Sequence, residues 1–139
     1  MPRVTAPFDI TGWEPAPPDQ TAWADAPALG RVTIRKTYTG ELAGEGVAEM
    51  LTCMADPDDY ARGAVYTAME RFVGRLGDRE GTFAFQHGAV SGGGPADSDP
   101  AGAVAPGSGT GALAGLRGRV AIHRDPGGAH TLVLDYELD

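Results

Sequence analysis

Three side chains have the chemistry to move protons: Lys36, Glu70 and His87. An amine, a carboxylate and an imidazole can supply an acid–base pair if an apolar setting gathers them. Lys36 is the only lysine in the chain, and it alternates with Val32, Ile34 and Tyr38 against Arg31, Thr33, Arg35 and Thr37. A strand through this segment turns Lys36 to the same side as its apolar neighbours. By the same parity Glu70 shares a face with Tyr66, Ala68 and Phe72, and His87 ends a face made by Phe83 and Phe85. The expected interior is therefore aromatic. Tyr38, Tyr66, Phe72, Phe83 and Phe85 are its substrate-binding surfaces, with Trp13 at a mouth, and Glu70, Lys36 and His87 are its catalytic groups.

Desolvation pushes a carboxylate pKa up and an amine or imidazole pKa down, unless the groups pair. Two readings therefore stand side by side. The trio works as acid and base, or Glu70 and Lys36 form a buried ion pair that fixes strand register. Glu49 shares parity with Val47, Leu51 and Cys53, so it too turns inward if the register allows. His123 and His130 flank the last turn and are expected in solvent. No two histidines stand at metal-ligand spacing, so no metal and no cofactor are expected. Cys53 is the single cysteine, which excludes an internal disulfide and a multi-cysteine zinc site, and it reads as a small buried residue. Gly107-Ser-Gly-Thr-Gly111 lacks the Gly-Lys-Ser/Thr ending of a phosphate loop and reads as a glycine-permitted crossing.

The elements that must position these groups are strands. Val4–Trp13, Arg31–Tyr38 and Val47–Met54 read as the first three, with Gly44-Glu45-Gly46 as the hairpin between the second and third. Ala64–Leu76 fits a helix or a strand, and a Gly77-Asp78-Arg79 turn into the alternating Gly81–His87 segment favours the strand. Residues 88–100 read as a flexible Gly/Asp-rich loop. A short strand over Gly102–Ala105 and a hairpin of Arg119–His123 with Thr131–Leu138 complete about eight strands. Such a series makes a sandwich or a closed barrel. Residues 15–27, with four prolines, form a crossover loop bracketed by Trp13 and Trp23 that plugs one end or lines a mouth.

Composition agrees. The chain has 139 residues with 21 Gly and 11 Pro, too many chain breakers for a helical bundle, and one domain is the expectation for this length. Its net charge of −8, with no basic patch, argues against nucleic acid as a partner. No apolar run resembles a signal peptide or approaches a membrane span, so a cytoplasmic location and no membrane partner are expected.

Lys36-Thr-Tyr-Thr-Gly-Glu-Leu-Ala-Gly-Glu-Gly46, Met69-Glu-Arg-Phe-Val-Gly74 and Gly81-Thr-Phe-Ala-Phe-Gln-His87 occur in order. The glycine-rich 106–118 stretch and His130-Thr-Leu-Val-Leu-Asp-Tyr-Glu-Leu138 follow. This series resembles the bacterial domain-of-unknown-function family 3224 over nearly the whole chain. That family is similar in fold to the allene oxide cyclase and dirigent barrels, so the resemblance implies a small eight-stranded antiparallel barrel that oligomerises, here as a homodimer. It also suggests a cofactor-independent cyclase or isomerase of secondary metabolism, acting on a small, largely apolar substrate inside the barrel. The alternative is a non-catalytic barrel that binds a small hydrophobic ligand, or an oligomeric structural module.

Overall fold

Alternation of apolar and polar residues at a period of two runs through most of the chain, and the backbone follows it. A computed structural model describes residues 1–17, 27, 29–56 and 58–139. Its strands are β1 (Arg3–Pro15), β2 (Leu29–Tyr38), β3 (Leu42–Met54), β4 (Ala64–Leu76), β5 (Arg79–Ser91), β6 (Ser98–Val104), β7 (Thr110–Gly111), β8 (Arg117–Arg124) and β9 (His130–Glu137). The described residues contain one 3-10 turn, Tyr60–Arg62, and no α-helix. None has a helix long and apolar enough to cross a membrane.

Every pairing is antiparallel. The order β4-β3-β2-β1-β9-β8-β6-β5 closes on itself through β4–β5 pairing, giving an eight-stranded barrel. The two-residue β7 hangs outside that ring on Gly81 and Thr82 of β5. Closure leaves no open sheet edge in the ring, and an eight-stranded barrel is just wide enough for its own side chains or one small ligand.

Ala64–Leu76, compatible with helix or strand from its sequence, is a strand because it pairs along its whole length with both β3 and β5. A two-residue turn, Gly77-Asp78, joins β4 to β5 with Leu76 opposite Arg79. Gly77 has φ 62° and Asp78 does not have positive φ, the pattern of a type II′ hairpin turn that starts on glycine.

Two expectations are corrected. Gly44-Glu45-Gly46 is not the β2–β3 hairpin, because the chain turns at residues 39–41 and all three residues lie inside β3. The glycine that turns is Gly40, at φ 91°. The loop expected over residues 88–100 is narrower, spanning 92–97, because β5 continues to Ser91 and β6 begins at Ser98. Ladder pairing needs only backbone groups, so Gly88 opposite Thr67 and Val90 opposite Val65 extend the strand without large side chains. Asp97 closes the remaining loop by accepting hydrogen bonds from the Gly93 and Gly94 amides. Of the proline-rich crossover, residues 18–26, Trp23 among them, lie outside the described residues.

One end of the barrel is filled. Leu42, Leu76, Phe72, Phe83, Phe85 and Val104 pack together with Leu113 and Leu116, which the β6–β8 crossing folds inward until both are wholly buried. The plug is therefore leucine from this crossing. Trp13 stays exposed at the far end of β1.

Candidate functional site

The polar residues gather in the other half of the barrel. Lys36 on β2 and Glu70 on β4 are separated by β3, and their side chains meet because β3 presents only Gly46 and Ala48 between them. A Cβ at Gly46 would collide with the Glu70 carboxylate and lie 2.9 Å from Tyr38 Cε1. The glycine inside the strand is thus the space the carboxylate occupies.

Glu70 is the hub. Lys36 Nζ donates to its Oε1 at 2.8 Å, His87 Nε2 donates to the same oxygen at 3.1 Å, and the Tyr38 hydroxyl donates to Oε2 in a short bond. The Tyr66 hydroxyl lies 3.0 Å from His87 Nδ1. Glu70 is 0%, Lys36 5% and His87 4% exposed. The Lys36 ammonium also sits over the Phe8 ring, 4.6 Å from its centroid, a favourable cation–π position. Among the described residues no buried side-chain nitrogen or oxygen is left without a partner.

Burial acts to raise the Glu70 pKa. The His87 hydrogen bond, the Lys36 charge and the hydrogen bonds from Lys36 and Tyr38 outweigh it and hold the carboxyl below its ordinary 4.5. Pairing thus reverses the upward shift that burial alone would give. Burial, then the Glu70 charge, then the hydrogen bond to Glu70 push the Tyr38 phenol far above its ordinary 10.0.

These directions fix proton positions. An ionised carboxylate only accepts, so the bonds from Lys36, Tyr38 and His87 all run toward Glu70. His87 Nε2 therefore carries a proton. In the neutral ring Nδ1 then accepts, and Tyr66 is its donor.

Above this network lies a cavity of about 480 Å³. Phe8, Ile10, Ile34, Met50 and Ile122 give it apolar walls, Lys36, Tyr66 and His87 reach it from below, and Asp99, Arg124 and His130 stand around it. The volume and the few polar groups on apolar walls suit a small organic molecule.

Not every expected residue lines this cavity. Lys36, His87 and Tyr66 do. Glu70 and Tyr38 lie beneath it and act through the residues they hold. Phe72, Phe83 and Phe85 do not line it. They stack in series below, with ring centroids 5.1 and 5.7 Å apart, and fill the core. Trp13, expected as a mouth residue, is exposed and outside the lining. Glu49 points outward, where the Thr33 hydroxyl donates to it at 3.0 Å. Cys53 is half-buried on that same outer face.

His130, expected in solvent, is half-buried at the mouth and stacks on Phe8 at 5.2 Å. Burial lowers its pKa first, then the charges of Arg124 and Lys36, against smaller opposing effects of Asp125 and Asp9. The signal for His130 was its place opposite Phe8, which requires the pairing of β1 with β9 across nearly the whole chain.

The family described as "Protein of unknown function (DUF3224)" matches residues 4–136. The chain belongs to the DUF3224 family. A crystal structure of another DUF3224 protein of unknown function, from Shewanella oneidensis MR-1, is similar to it at 31% identity and a TM-score of 0.80. That likeness covers 100% of this chain and 98% of the other. No functionally curated protein matches.

Proposed function

We propose that this protein is a cofactor-independent isomerase or cyclase of the allene oxide cyclase and dirigent kind, acting on a small, largely apolar molecule that carries a carbonyl or a similar oxygen function. The observation that carries the reading is the Tyr66–His87–Glu70 chain ending at an apolar cavity. When Tyr66 takes a proton from an activated C–H of the substrate, its own proton passes to His87 Nδ1. The imidazolium so formed is held by the Glu70 carboxylate. The C–H electron pair moves onto the substrate oxygen, where the Lys36 ammonium offsets the new negative charge. Return of the proton to a different carbon, or ring closure by the enolate, completes a rearrangement with no net oxidation. Lys36, His87 and Tyr66 are the catalytic residues of this scheme, and Glu70 and Tyr38 are positioning residues.

A second reading has one observation in its favour. Every buried polar atom in the network already has a partner among the described residues, as suits a barrel that binds the same class of molecule without transforming it. One experiment separates the two. Small unsaturated ketones and epoxides are incubated with the protein in deuterated water and followed by NMR. Deuterium entering the carbon framework, abolished by Tyr66→Phe and by His87→Gln, supports the enzyme. Saturable shifts of cavity resonances with no exchange support the binding barrel and exclude the enzyme for those compounds.

A further inference from the structure

The outer face of the sheet carries an arrangement that the cavity does not explain. Residues at odd positions of β3 and β4 point away from the barrel interior, and many are apolar. Leu51, Val65, Met69 and Val73 are all exposed, Met69 at 52% and Val73 at 60%. Register alternates them with polar residues, Leu51 opposite Thr67, Val65 opposite Cys53, Met69 opposite Glu49 and Val73 opposite Glu45, so the apolar side chains meet on diagonals, with Val47 between Val73 and Met69. Leu29 of β2, also exposed, extends the patch beyond Cys53. An exposed zigzag of large apolar side chains interleaved with charges has the mixed character of a contact surface.

We propose that this face, β3 with β4, is the interface of a homodimer. The argument for a second copy is charge. Glu45 on β3 and Arg71 and Arg75 on β4 are interleaved with the apolar side chains, and among the described residues none of the three forms an ion pair within the chain. The acids are on one strand and the bases on its neighbour. A two-fold axis lying between the two strands and parallel to them sets β3 of each copy over β4 of the other, an isologous contact. Arg71 is in register with Val47. In this packing it therefore faces the Val47 position of the partner, between the partner's Glu45 and the partner's Glu49, which stand one same-face step, ~6.6 Å, to either side. The face is complementary to itself. A hollow of about 430 Å³ on this surface, bordered by Val47, Val73 and Ala84, receives apolar side chains from the other copy.

Light scattering coupled to size-exclusion chromatography tests the assignment on the full chain. The expected mass is twice the chain's 14.4 kDa. Met69→Glu is expected to return it to the single-chain mass, with the circular dichroism and thermal midpoint of a folded barrel retained. Arg71→Glu is expected to weaken the dimer at least tenfold in Kd. Adding Glu45→Arg and Glu49→Arg to Arg71→Glu is expected to recover it. Wild-type protein at 14.4 kDa overturns the proposal, whether or not another molecule binds the face. A dimer indifferent to both Met69→Glu and Arg71→Glu overturns it as well.

Discussion

The Lys36 ammonium meets the Glu70 carboxylate at 2.8 Å, two strands away across Gly46 and Ala48, with both groups buried. A buried pair of this kind contributes little beyond what a well-packed apolar pair would, but removing one partner leaves a charge stranded in a low-dielectric interior. Lys36→Met is therefore expected to cost about 3–5 kcal/mol. The double variant Lys36→Met/Glu70→Gln is expected to recover much of that loss, since no buried charge then remains. Urea unfolding of the four proteins in the cycle measures it. Strict additivity of the two single changes would show that the ion pair is not coupled.

The same carboxylate sets a pH dependence. Glu70 ionises more readily in the folded chain than its ordinary 4.5, so the unfolded chain binds its proton first. Its stabilising contribution is fully present above about pH 4.5 and is lost as pH falls from there through the lower folded value. Tyr38 acts at the other limb. Its folded pKa is raised above 10.0, so its contribution is present below pH 10 and is lost as pH rises beyond it. Thermal midpoints between pH 3 and 11 should show both limbs. Glu70→Gln is expected to flatten the acid limb and Tyr38→Phe the alkaline one, and an unchanged acid limb in Glu70→Gln would remove Glu70 as its cause.

Gly46 has a role that only its neighbours reveal. Alanine there forces either the Glu70 carboxylate or the Tyr38 ring to move, and overpacking of this sort costs about 1–3 kcal/mol. Gly46→Ala is expected to fall in that range and to disturb the His87 resonances as well. Gly94→Ala, at a glycine with open space around it, is expected to be nearly neutral. Equal losses in both variants would indicate a general loss of backbone freedom instead of a collision.

The His87 proton can be seen directly. Long-range proton–nitrogen correlation spectra of histidine-labelled protein are expected to show the neutral ring protonated at Nε2. Tyr66→Phe is expected to move the Nδ1 resonance with little effect on Nε2, because it removes the hydroxyl that donates there. A neutral ring protonated at Nδ1 would reverse the hydrogen-bond directions on which the proton relay rests.

Much of this was legible along the chain, because strand parity is a local property. The alternation around Val32–Tyr38, Tyr66–Phe72 and Phe83–His87 turned Lys36, Glu70 and His87 to the inside, and the barrel follows from short strands with glycine turns. Depth was not legible. Parity places Phe72, Phe83 and Phe85 on the inner face but not at which level, and level depends on stagger between strands far apart in sequence. For the same reason the mouth was missed. His130 and Ile10 belong to it only because β1 pairs with β9 on one side, Phe8 opposite His130, and with β2 on the other, Ile10 opposite Lys36. Gly44-Glu45-Gly46 misled for a different reason. Glycine marks a turn and a close approach alike, and here Gly46 marks the approach of a carboxylate.

The leucine plug has a consequence for traffic. With Leu113 and Leu116 sealing one end, the cavity is a cul-de-sac among the described residues, and under the proposed function a molecule would leave by the door through which it came. Entry and exit would then be mutually exclusive events at one threshold, bordered by Ile10, Arg124 and His130. A lingering occupant shuts out the next arrival, so the rate at which that threshold clears sets an upper bound on anything the barrel does.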